Sequence, residues 1–346
     1  MTISSISTAS LSSVLSSSVS NLQTQLAEAE IELSTGQDAD VGLTLGAGTG
    51  QAISLQQQES YLQTLTTSNN AAATRLTNTQ TVLGNVQSTA QDFLNSLIEN
   101  NNITSSASSL QTSATSGLQS LISNLNSELG GSYIFAGTNT ATAPISDYFA
   151  SSSPNAAAVN SAITTQFGSP PDFSTTTGAQ MTSFLDNQFS SLFSGANWTS
   201  DWSSASDTTL SNQISTSSKQ STSVSANQAA FQQLAEAYTM VSSLGSQNLT
   251  SDAYQAVVTK AQSLVSSAIT GLTDIQANVG VVQSNITSSN TQMSAQITIF
   301  STQVDNLESA DAYNAATNVN NLQTQIETAY SLTNQLKQLS LVNYIS

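Results

Sequence analysis

Two groups of carboxylates are the first residues in this chain that could do chemistry: Glu28, Glu30 and Glu32, and Asp305, Glu308 and Asp311. A carboxylate pair catalyses when a pocket sets the two pKa values apart, one acid and one base. Both groups fall on slender helical patterns, so they read as solvated faces or subunit contacts. The run "GAGTG" at 46–50 suggests a phosphate cradle, but Gln51 follows where a P-loop needs Lys and Ser or Thr. Asp38 and Asp40 offer oxygens to a cation, yet a calcium loop needs more ligands at fixed spacing. His and Cys are absent, which removes zinc sites, disulfides, thiolate chemistry and Ser-His-Asp triads. Four Asn-x-Thr sequons, at Asn102, Asn197, Asn248 and Asn285, are what chance gives a chain so rich in Thr. No catalytic residue, cofactor or metal site is expected, and the chain does not read as an enzyme.

If the polar residues do no chemistry, the elements that carry them must be the function. The chain has 346 residues, 38 % of them apolar, in a background of Ser, Thr, Asn and Gln. That supply suits a stripe along long helices better than one thick core. Four basic residues face twenty-one acids, a net charge of −17. Such a chain repels nucleic acid and anionic membranes, because binding them requires Lys and Arg. No apolar run approaches the length of a transmembrane helix. The start, "MTISSISTASLSSVLSSSVS", has neither a basic region nor a continuous apolar segment, so no conventional signal peptide is expected.

Leu15, Val19, Leu22, Leu26, Ala29 and Leu33 alternate spacings of four and three, an a/d seam that Leu11 extends backward. It stops at "STGQDADVGLTLGAGTG", which reads as a hinge or extended connection. A second helical rhythm runs from Leu62 to Leu97, and a third from Leu110 to Leu129, where Gly130-Gly131 reads as a helix C-terminus. Tyr254 to Leu307 reads as one very long helix carrying Met293 and Phe300. A last helix carries Val319, Leu322, Ile326, Ala329, Leu332, Leu336 and Leu339. Residues 131–220 differ: they hold all four prolines, both tryptophans and seven of the ten phenylalanines. Proline excludes long helix, and aromatics supply bulk for a compact core.

The expected fold is therefore mainly α: an elongated antiparallel helical bundle or coiled-coil rod built from both chain ends, with a small mixed or β-containing inserted domain. The expected divisions are 1–50 (assembly helix and Gly-rich connection), 51–130 (core helices), 131–220 (inserted domain), 221–285 (core helices) and 286–346 (assembly helices). The terminal stripes are thin and diluted by weak helix formers. Isolated helices of that kind are marginal unless something buries their apolar face. The ends are thus expected to order on association with other copies, through Leu15, Leu22, Leu26, Met293, Phe300, Leu322, Ile326 and Leu336.

Three stretches carry a family resemblance. "LAEAEIELSTGQ" resembles the end of the N-terminal helix of bacterial flagellins. "GSYIFAGTNTATAPI" resembles the Gly-Tyr-Phe-x-Gly-Thr…Pro motif of hook–filament junction proteins (hook-associated protein 3). "LQTQIETAYSLTNQLKQLSLVNYI" resembles the shared C-terminal helix. The likeness covers roughly residues 1–145 and 255–346. It implies a structural component of the extracellular flagellum, exported without a cleaved signal. The implied partners are copies of itself, a neighbouring hook-associated protein, flagellin and an export chaperone. Flagellins usually carry arginines on their inner helices, whereas "DADVGLTLGAGTG" and "NVGVVQSNI" have none. That favours a junction adaptor over a filament subunit; a cytoplasmic or phage coiled-coil scaffold is the remaining alternative.

Overall fold

The computed structural model describes residues 8–99, 103–245 and 248–345, without the side chains of 8, 9, 103–106, 336, 337 and 339–345. Its elements are α1 (Thr8–Thr35), α2 (Val41–Leu45), α3 (Thr49–Glu99), α4 (Ile103–Leu125), β1 (Glu128–Leu129), β2 (Ser132–Tyr133), α5 (Pro154–Phe167), α6 (Gly178–Phe184), α7 (Gly195–Asn197), β3 (Ser211–Gln213), β4 (Lys219–Ser221), α8 (Ala229–Leu244), α9 (Ser251–Glu308) and α10 (Ala312–Ile345). The chain divides into two compact units: Met1–Gln63 with Met293–Ser346, and Thr64–Gln292.

In the first unit, α1 and α10 pack along one another. The heptad spacing explains why: the residues of the two seams lie on one face of each helix. Leu15, Val19, Leu22 and Leu26 are half-buried, and so are Leu322 and Ile326. Among the described seam residues, only the small Ala29, Ala315 and Ala329, with Val319, are buried. Gln23 donates from Nε2 to the Tyr330 hydroxyl at 2.9 Å. The two connections after α1 and before α10 clasp each other through an antiparallel bridge between Gln37 and Ser309. The Asp38 N–H donates to the Glu308 carbonyl at 2.8 Å, and the Ala310 N–H to the Gly36 carbonyl at 2.9 Å.

The segment expected to be a hinge is more ordered than its glycines suggest. Asp40 caps α2, its Oδ1 accepting from the Leu43 N–H at 2.9 Å, and α3 already begins at Thr49. An Asp N-cap satisfies a backbone donor that would otherwise have none, and this outweighs the cost of the glycines.

The second unit holds the large core. Its buried cluster runs from Ala72 to Ile286 and joins apolar residues of α3, α4, α8 and α9 to the aromatics of 131–220. The part of α3 in this unit runs antiparallel to that of α9 across a polar ladder. Asn290 donates to Asn70 at 3.0 Å, Gln87 to Thr273 at 3.0 Å, and Gln262 to the Leu97 carbonyl at 3.0 Å. The β3–β4 hairpin docks on that pair: Asn69 Nδ2 donates to the Ile214 carbonyl and to Asn290 Oδ1, both at 2.8 Å. Within 131–220, rings pack in series. Tyr148 stacks on Trp202 at 5.6 Å and Trp202 on Trp198 at 5.8 Å, while Phe193 touches Trp202 at 4.9 Å and Phe189 at 5.3 Å.

Gly130 and Gly131 do not end a helix. α4 stops at Leu125, and the two glycines, with φ of +59° and +78°, form the turn of the β1–β2 hairpin. Positive φ at both central positions gives a type I′ turn, whose twist matches the flanking strands. The aromatic segment that follows enters the core: Ile134, Phe135 and Ala136 are buried, and Phe135 meets Phe231 edge-on at 5.8 Å. A side chain at Gly137 (φ +61°) would collide with the Ser206 carbonyl, so this close crossing requires glycine.

Candidate assembly surface

Three of the six carboxylates that first suggested chemistry have structural partners. Glu308 accepts from Gln56 Nε2 at 2.9 Å, and Glu32 Oε1 from the Ala39 N–H at 3.5 Å. Asp311 caps α10, its Oδ1 accepting from the Tyr313 N–H at 2.9 Å and the Asn314 N–H at 3.2 Å. Among the described residues, no group of three or more His, Cys, Asp or Glu could hold a metal ion, and no helix is long and apolar enough to cross a membrane.

Exposed apolar surface is concentrated in the first unit. Among the described residues, fourteen large hydrophobic side chains are exposed, and eleven belong to that unit. The buried cluster described above lies wholly in the second. One unit thus has a large core, while the other buries Leu55, Leu62, Met293 and Val304 on α3 and α9 but leaves most of the seam between α1 and α10 half-buried.

Of the residues expected to seal an assembly, Met293 is buried, while Leu15, Leu22, Leu26, Phe300, Leu322 and Ile326 are half-buried. The side chain of Leu336 lies outside the described residues. The described members on α1 and α10 lie on the two helices that pack along one another.

The sequence pattern misses two residues. Leu43 of α2 and Tyr313 of α10 are 83 % and 80 % exposed, the most exposed of the described large hydrophobics. They follow the two strands of the Gln37–Ser309 clasp, outside any heptad stripe, so periodicity has no way to find them. Ile31 and Leu33, at the end of α1 before the clasp, are exposed as well. The unit is also acidic: ten Asp and Glu residues accompany one base, Lys337. Copies brought together through it must overcome mutual repulsion, which salt screens.

Known proteins now place this architecture. The model of the bacterial flagellin N-terminal helical region matches residues 6–140, and that of the bacterial flagellin C-terminal helical region matches residues 262–345. Together they span about three fifths of the chain. No curated protein matches it. A solved structure from Vibrio parahaemolyticus, which bears the name of a flagellar hook-associated protein, shares the fold with a TM-score of 0.53. It is 11 % identical over 75 % of this chain and 97 % of its own. With both flagellin helical regions present in order, and paired helices at its two ends, this chain belongs to the flagellin-like family of flagellar structural proteins.

Proposed function

We infer that this protein is an adaptor at the junction between flagellar hook and filament, exported through the flagellar channel and assembled outside the cell. The observation that carries the reading is the exposed apolar surface of the first unit, on α1, α2, α10 and the adjoining ends of α3 and α9, which has no share in the large buried cluster. In this reading residues 1–50 and 286–346 pack against neighbouring copies, and α1 and α10 gain full order only there. Leu15, Leu22, Leu26, Met293, Phe300, Leu322, Ile326 and Leu336 line those contacts, and Leu43 and Tyr313 seat on an adjacent subunit. Residues 131–220 form the outer insertion. One end of the assembly meets the preceding hook-associated protein and the other meets the first flagellin subunits. An export chaperone holds the chain before secretion.

Support for the junction role comes from the GSYIFAG motif, from the absence of arginine in the stretches around α2 and residues 278–286, and from the name of the Vibrio structure. The family models themselves describe flagellin, so a filament subunit is the second reading. Immuno-electron microscopy separates the two: label confined to the hook end supports the adaptor, and label along the whole filament refutes it. Deleting residues 1–35 should abolish filament attachment while leaving the second unit folded.

A further inference from the structure

Helix α8 is buried over nearly its whole length, from Ala230 to Leu244, and carries a single charged residue, Glu236. That side chain is only 5 % exposed, and its Oε1 has no hydrogen-bond partner. Charged groups reach it from two packed segments. Lys260 of α9 attracts it, and Asp186 of the turn after α6 repels it, while Ser190 at the end of that turn offers a hydroxyl. Helix α4, the other neighbour of α8, contains no ionisable side chain, and Asp92 of α3 acts on Tyr238 rather than on Glu236. Lys260 is already engaged: its Nζ donates to Asp186 Oδ1 at 2.5 Å, tying α9 to the turn at 185–189. A single cation thus acts on two acids, one partly exposed and one buried.

We propose that Glu236, Lys260 and Asp186 form a pH-responsive latch. With Glu236 protonated, Lys260 holds Asp186, and segment 178–193 stays docked on α8 and α9. Once Glu236 ionises, its buried charge draws Lys260 from Asp186, and the segment loosens. No proton acceptor beyond solvent is needed, because opening the segment admits water to the carboxylate.

Burial places this exchange in the neutral range, pushing the Glu236 carboxyl up from its ordinary 4.5 to about 7. A folded-state pKa above the unfolded one means the closed latch binds the extra proton. Its stability is fully present below about 4.5 and is lost as pH rises to about 7. The opening equilibrium then grows about tenfold per pH unit across that window, about 300-fold in all, and levels off above it.

The test is amide hydrogen exchange of the intact chain between pH 5 and 8.5, corrected for intrinsic rates. The expected result is protection of residues 178–193 that falls about tenfold per unit up to pH 7 and is flat beyond, while α4 shows no such slope. The Glu236→Gln variant should remove the slope. Asp186→Asn, at a partly exposed position that does not threaten folding, should lower the protection of 178–193 already at pH 5. PH-independent protection of 178–193, an equal slope in α4, or unchanged protection in Asp186→Asn would each overturn the latch.

Discussion

One substitution, Gly to Ala in the interior of a helix, should change sign along this chain. Gly84 in α3 and Gly280 in α9 sit in helices of 51 and 58 residues, and a Cβ at either meets nothing within 4 Å. Alanine there relieves the unfolded-state entropy cost of glycine, so each variant should gain about 0.5–1 kcal/mol. Gly117 lies at the crossing of α4 with α8, where a Cβ would press into the ring of Tyr238. That ring is buried and held from another side by Phe93, with ring centroids 4.9 Å apart. Overpacking of this kind costs about 1–3 kcal/mol, and the close approach to a confined ring favours the upper end. After the propensity gain is subtracted, Gly117→Ala should lose about 2 kcal/mol. Urea titration of the purified monomer reads all three variants. If Gly117→Ala were as stabilising as Gly84→Ala, the α4–α8 packing described here would be wrong.

The remaining predictions bear on assembly, polar packing and pH. Leu22→Asp and Tyr313→Ala should impair polymerisation without changing the urea midpoint of the second unit, as seen by sedimentation and denaturation on the same samples. Because the assembly unit carries ten acids and one base, self-association should strengthen as salt rises from low to physiological strength. Asn69→Leu removes donors to the Ile214 carbonyl and to Asn290, and should cost about 1–3 kcal/mol. Glu236→Gln should raise stability by about 3 kcal/mol at pH 8 and by little at pH 4, since only the ionised carboxylate opposes burial.

Helix existence was legible where spacing alone decides it. The Leu15–Leu33 seam, the last helix and the long helix through Met293 and Phe300 all appear, because a four/three rhythm has one helical solution. Glycine was less informative. A helix end and a type I′ hairpin both want positive φ, so Gly130-Gly131 fits either, and only the pairing of Glu128 with Tyr133 decides between them. Tertiary facts stayed out of reach. Nothing local says that Glu236 is buried, although an acid alone within "AAFQQLAEAYTMVSSL" is the one available hint. Leu43 and Tyr313 lie off every stripe, and their exposure is visible only once the clasp is formed.

The central claim is that the paired end helices lack enough enclosed apolar surface to hold themselves, and are completed by other copies. Amide exchange measured on the isolated protein and on its assembled form tests this directly, over 11–33 and 312–335. The account predicts rapid exchange in both stretches for the isolated protein and strong protection once assembled, with the Thr64–Gln292 unit protected in each. Equally slow exchange of those stretches in the isolated protein would contradict it.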